Sequence, residues 1–352
     1  MTQIDAKFSN FLSCLMNRYA LIVLSGFGLF SAQDGLANFV YVANYRAATI
    51  SIIDTNTNQV IGSPLSLGFH PYGLALSPNG QFLYATDYYR SGHESVFVVN
   101  TTTQTLLSEV IIGSDPSQIA LTPNGAFAYI TNSGSNTVSV MDTSNYTIVG
   151  PPISVGTAPY GIAITPNGNF AYVTNDQTND VYVIDINSNT VVGSSIAVGE
   201  YPHGIAITPN GNYAYVANGN SGTVSVIDLN NNTVVGSPIS VGAYPHGVAI
   251  TPNGAFVYVT NGSDNTVSVI DTSNNTVVGV PITVGVNPSQ IAITPDGNFA
   301  YITNESDSTV SVISTASNTV IGSPITVGNY PAGIVISSEL TPRAFKRPNT
   351  LR

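Results

Sequence analysis

Few residues in this chain can carry chemistry. Charged residues make up 8% of 352, there are four histidines and one cysteine (Cys14), and no lysine or arginine stands between Arg90 and Arg343. Three histidines fall beside prolines that recur down the chain, and the residues flanking that proline vary between recurrences. The pairs are His70 and Tyr72, Asp115 and Ser117, Ala158 and Tyr160, Tyr201 and His203, Tyr244 and His246, Asn287 and Ser289, and finally Tyr330 and Ala332. A ring of Tyr, His, Ser and Asn can stack on and hydrogen-bond a neutral polar ligand such as a sugar. The plainer alternative is that these side chains pack over Pro and Gly at a solvated rim. His203 and His246 occupy equivalent places in successive recurrences, so both can face one ligand, and either could act as a general base beside a polarising Tyr. Two histidines fall short of the donor set of a zinc centre, so no metal is assigned.

A second candidate is the segment DYYRSGHES (87–95), which gathers Arg90, His93 and Glu94 in a chain otherwise poor in charge. It reads either as a contact site or as a solvated loop. The polar stretches NSGSN, NDQTND and GSDN offer oxygens to Ca²⁺ but too few carboxylates for a dedicated site, and no cofactor is otherwise expected. Nucleophile-elbow, phosphate-cradling and HExxH motifs are absent. A formal net charge of −11 argues against a nucleic-acid partner, and the scarcity of cations argues against phosphorylated substrates.

What must position these residues is a repeat. Seven hexapeptides recur: FVYVAN (39–44), FLYATD (82–87), FAYITN (127–132), FAYVTN (170–175), YAYVAN (213–218), FVYVTN (256–261) and FAYITN (299–304), mostly 43 residues apart. Between them each unit reads as four short strands. PHGIAIT leads through a Pro-Asn-Gly turn to YAYVAN, then to TVSVID, and through an Asn-rich turn to TVVGSPISV. The Asp ending most third strands (Asp54, Asp142, Asp185, Asp228, Asp271) is expected to cap the following turn. Four such strands cannot bury both faces alone, but stacked radially they bury one another. The expected fold is therefore all-β, a seven-bladed β-propeller of four-stranded antiparallel blades. Residues 331–337 would complete the blade begun by residues 39–67, in a three-plus-one strand clasp. The units resemble the YVTN β-propeller repeat family of prokaryotic surface-layer and secreted proteins, through FAYVTN, TVSVID and GIAITPNG. That resemblance implies a propeller at or beyond the cell envelope.

Lys7 and Arg18 precede the apolar run YALIVLSGFGLF, the pattern of a signal peptide. The expected organisation is a signal peptide at 1–32, a propeller at 33–337 and a basic tail at 338–352. The mature chain should lack a membrane span, be a monomer, and be exported to the periplasm, cell surface or medium. With so few ionisable groups, the leading expectation is a non-enzymatic scaffold binding a glycan, envelope component or protein partner through the channel mouth and blade loops. Two alternatives stand beside it: a lactonase-like hydrolase or lyase using the mouth histidines, and a structural surface coat.

Overall fold

The computed structural model of the chain describes residues 38–66, 68–88 and 94–337, all in strands, turns and bends. The expected signal peptide, Arg90, His93 and the basic tail lie outside the described residues. Among the described residues no helix is long and apolar enough to cross a membrane.

Seven antiparallel sheets follow one another as blades. Blade four shows the plan: Pro159–Ile164, Phe170–Asn175 and Asp180–Asp185 pair in order, from the channel outward. Blade one is built from both ends of the array, because Pro331–Ile336 pairs with Phe39–Asn44. Contacts between neighbouring inner strands run unbroken round the ring, including Pro331–Ile336 against Pro71–Leu76. The three-plus-one clasp is thus observed.

The hexapeptide explains why the blades stack. Its residues alternate between the two faces of the sheet. In blade four Tyr172, with Val181 and Val183, packs onto Ala214, Val216 and Ile205 of blade five. On the other face Ala171, Val173 and Ile184 receive Tyr129, Val138 and Val140 of blade three. Each interface is a large side chain set among small ones. The buried tyrosine then reaches the outer turn of the next blade, donating its hydroxyl to an asparagine Oδ1: Tyr172 to Asn232 and Tyr215 to Asn275 at 2.6 Å, and Tyr301 to Asn58 at 2.6 Å across the closure. Nearer the axis, the hexapeptide threonine donates to the carbonyl after the next blade's proline, as Thr174 does to His203 at 2.7 Å. Backbones approach so closely there that a Cβ at Gly161 would meet the His203 carbonyl oxygen.

The turns obey the expected chemistry. Asn167 Oδ1 accepts the Asn169 amide at 3.0 Å within Pro-Asn-Gly, and Asp185 Oδ1 accepts the Asn187 amide at 2.8 Å. The outermost strand differs from expectation. TVVGSPISV is not one strand but two two-residue pieces, Thr233–Val234 and Ile239–Ser240, both paired with Thr223–Asp228. Gly236 at φ 67° and the following Ser-Pro break it. Blade two, whose sequence there is TLLSEVI, has no such break and keeps a continuous strand over Thr105–Ile111.

Tyr215→Phe keeps the packed ring and deletes only the bond to Asn275. A loss of about 1 kcal/mol is expected, read as a lower denaturation midpoint at unchanged slope. An unchanged midpoint would mean that the hydroxyl contributes nothing to holding adjacent blades.

Candidate active site

Three positions per blade converge on one mouth of the channel. The residue before the proline is held at positive φ in six blades, for example Tyr201 at 59°, Tyr244 at 55° and Tyr330 at 58°. Such a backbone costs on the order of 1–3 kcal/mol in a non-glycine residue and persists only where neighbours enforce it. Here the Tyr201 amide donates to Asn179 Oδ1 at 2.9 Å, and its carbonyl accepts the Gly219 amide at 2.8 Å. The residue after the proline is the second of the inner strand, and in blades two, four, five, six and seven it lines the channel mouth. The third position directly follows the hexapeptide and is tied to the first by its amide, as Asp176 is to the Ala158 carbonyl and Glu305 to the Asn287 carbonyl, both at 3.0 Å.

Together they enclose a cavity of about 460 Å³. Of the residues singled out from the sequence, Tyr72, Asp115, Tyr160, Tyr201 and His203 line it, as do Tyr244, His246, Asn287, Ser289 and Tyr330. Two do not. His70 is turned aside, its Nδ1 2.8 Å from the Tyr45 carbonyl and its amide on Asp87 Oδ1 at 2.9 Å. Ser117 is fully buried between blades, 2.9 Å from Thr131 Oγ1 and 3.1 Å from the Pro159 carbonyl. Glu94 sits in blade two and takes no part in the cavity lining.

A hydrogen-bonded chain crosses the cavity. The Tyr72 and Tyr160 hydroxyls lie 2.6 Å apart, Tyr160 is 3.1 Å from His246 Nε2, and His246 Nδ1 is 3.4 Å from Ser289 Oγ. Beside it His203, 3% exposed, places Nε2 3.6 Å from Asp176 Oδ2, and the His203 and His246 rings are 4.5 Å apart. Among the described residues Asp176 Oδ1 and His203 Nδ1 are buried with no hydrogen-bond partner, a pattern that native interiors reserve for special positions. Desolvation drives both members of the pair to their neutral forms: it pushes the Asp176 carboxyl up to about 8 and the His203 imidazole down to about 2, the latter with help from His246. It also brings His246 down to about 4, against a raising contribution from the Ser289 backbone. Both Tyr72 and Tyr160 are raised by burial and stay protonated.

The sequence reading missed Tyr88, Asp176 and Glu305, all of which line the cavity. The signal was available, since the position after the hexapeptide reads Tyr45, Tyr88, Ser133, Asp176, Gly219, Gly262 and Glu305, varying as the proline flanks do. Arg46 was missed too. It is the sole lysine or arginine among the described residues, and its guanidinium lies 4.5 Å over the Tyr330 ring at the rim. Among the described residues no group of three or more His, Cys, Asp or Glu is arranged to hold a metal ion.

A family model described as a lactonase, seven-bladed β-propeller, matches residues 30–240 and 237–324. Among solved structures the chain is similar to Kuenenia stuttgartiensis hydrazine synthase, at 25% identity and a TM-score of 0.67, covering 75% of this chain and 88% of that one. It is also similar to the periplasmic gluconolactonase PpgL of Pseudomonas aeruginosa, at 16% identity and a TM-score of 0.72, covering 86% and 100%. At that lower identity the likeness is one of fold. No curated protein matches the sequence. The match corrects the leading expectation of a non-enzymatic binding scaffold in favour of its lactonase-like alternative, and the YVTN family is not what it shows. The scaffold reading rested on the scarcity of ionisable groups averaged over the chain, whereas Asp115, Asp176 and Glu305 are gathered at one mouth.

The carboxyl buried at Asp176 makes stability depend on pH. Unfolded aspartate releases its proton near 3.9 and the folded group near 8. Between those values the unfolded state binds fewer protons, so stability falls as pH rises. His203 and His246, depressed in the fold, act oppositely but only below about 6.5. Calorimetry should therefore show Tm falling from about pH 6.5 to 8, and Asp176→Asn should flatten that fall. An equal fall in the variant would place the titration elsewhere.

Proposed function

The chain belongs to the lactonase family of seven-bladed β-propellers, and on that footing we propose that its channel-mouth cavity hydrolyses an uncharged, sugar-type lactone. The observation that carries the reading is the convergence of the Tyr72–Tyr160–His246 chain and the Asp176–His203 pair on one cavity of about 460 Å³. Titratable groups perturbed by burial and gathered in a cleft are the physical mark of an active site.

The walls argue for the substrate's charge. Among the described residues no lysine or arginine lines the cavity, while the carboxyls of Asp115, Asp176 and Glu305 do. A phosphate needs cationic or bidentate partners, and the described walls supply no cation for it. Tyr72 and Tyr88, stacked at 4.7 Å, with Tyr201 and Tyr244 across from them, offer apolar ring faces and hydroxyls suited to a polyol.

Hydrolysis requires water to attack the lactone carbonyl, donors for the oxyanion that develops, and a proton for the ring oxygen that leaves. Tyr72 stands at the free end of the hydrogen-bonded chain. His246 Nε2 accepts from Tyr160, and Tyr160 can then accept from Tyr72, so the Tyr72 hydroxyl is the donor for which a substrate carbonyl competes. Burial keeps His203 and His246 neutral and weakly basic, so a histidine general base is not supported; His246 instead orients Tyr160. The signal-like N-terminus supports an exported enzyme, acting in the periplasm, on the cell surface or outside.

Titrating acid release from D-glucono-1,5-lactone and from its 6-phosphate tests the reading. The neutral lactone should be hydrolysed at least about tenfold faster by kcat/KM, and Tyr72→Phe should lower kcat about 10²-fold. Absence of turnover of neutral lactones above background, or preference for the phosphate, would sink it.

A further inference from the structure

Glu305 is a buried carboxyl, 7% exposed, that the chemistry above does not use. It holds the same position in blade seven that Asp176, equally buried, holds in blade four. Inner strands follow one another from Pro159–Ile164 through blades five and six to Pro288–Ile293, so three steps separate the two blades one way and four the other. In a ring of seven that is the widest separation there is. Both carboxyls line the same cavity, and Tyr160 and Tyr244 feel the charge of each. Two carboxyls thus face one cavity from opposite arcs.

Their surroundings differ in kind. Glu305 Oε2 accepts the Asn287 side-chain amide at 2.9 Å, its carboxyl also receives Ser289 and Tyr330, and the Arg46 guanidinium adds its field. These four groups favour the ionised form and oppose the desolvation that raises it. Asp176 has no such help. Among the described residues its only charge partner is His203, which burial keeps neutral, and one of its oxygens has no partner there. Tyr88 and Tyr201 face it as well, and neither supplies a cation. Environments that push two titratable groups apart assign their roles.

We propose that Glu305 and Asp176 form an acid–base pair across the cavity, Glu305 as the base that activates water and Asp176 as the acid that protonates the leaving oxygen; this rests on the lactone-hydrolase reading. The Glu305 carboxylate takes one proton from water as the water oxygen bonds to the lactone carbonyl carbon. The ring C–O bond then breaks, and its oxygen leaves with the Asp176 proton. The products are the carboxyl and hydroxyl ends of the opened chain. Glu305 is left protonated and Asp176 ionised. Solvent returns the proton from one to the other once product departs.

Leaving-group dependence separates this pair from a merely structural one. Variants Asp176→Asn and Glu305→Gln are compared on D-glucono-1,5-lactone, whose leaving group is an alcohol, and on dihydrocoumarin, whose leaving group is a phenol needing little acid help. Glu305→Gln should slow both substrates about 10²-fold. Asp176→Asn should slow the gluconolactone about 10²-fold but dihydrocoumarin less than tenfold, and Asp176→Glu, which keeps a carboxyl, should recover part of the loss. Equal losses on both substrates in Asp176→Asn, or undiminished rates in Glu305→Gln, would overturn the assignment. If the wild type opens neither lactone, the hydrolase reading fails, and the pair is judged without substrate. Carbon-13 NMR of the labelled carboxyls, assigned with the same variants, should then show Asp176 protonated and Glu305 ionised at pH 7. Two like states, or the reverse order, would overturn the pairing.

Discussion

Everything in this propeller depends on a blade being unable to bury itself. Each sheet has two apolar faces and no second layer of its own, so the only stable arrangement presses a tyrosine of one blade into the small residues of the next and anchors its hydroxyl there. Tyr172 among Ala214 and Val216, bonded to Asn232, is one instance, and Tyr301 bonded to Asn58 completes the circuit. A buried tyrosine recurs at each interface, and in five of them its hydroxyl meets an asparagine, so the hexapeptide tolerates little variation. The chemistry of the protein is confined to positions this contact leaves alone.

Those positions are the ends of strands around the channel mouth. There the backbone is held by the repeat, down to the positive φ before the proline, while side chains are free to differ. A few ionisable groups buried there are perturbed far more than they would be on an ordinary surface, because burial penalises their charged forms. Burial at the channel mouth, not the number of charges in the chain, is what makes Asp176 and the two histidines electrostatically unusual.

Blade number, strand order and the clasp were legible because periodicity reports them directly, and so was the ring of proline-flanking residues, most of which do line the cavity. Asp176 and Glu305 were hidden because the hexapeptide reads as ending at its asparagine, and the next residue looks like the start of a surface loop. That the loop turns inward depends on an amide bonding to a carbonyl about 18 residues earlier, as Glu305 does to Asn287, which no local pattern reveals. Arg46 over Tyr330 is a contact between the two ends of the array, visible only once the ring closes. The broken outer strand was misread because Gly-Ser-Pro was taken as compatible with one continuous strand, when a positive-φ glycine followed closely by a proline interrupts the ladder.

Blade one is sewn from the first and last strands of the array. A chain emerging from its N-terminus can therefore assemble blades two to seven in sequence, each templating its successor, but the first blade stays a three-stranded sheet until residue 336 is available. The apolar flank of Val40, Val42 and Ile53 is covered separately, by Tyr301 and Val310 of blade seven. A chain cut short by that single strand would keep the contact between blades seven and one but leave the inner edge of Phe39–Asn44 without its partner strand.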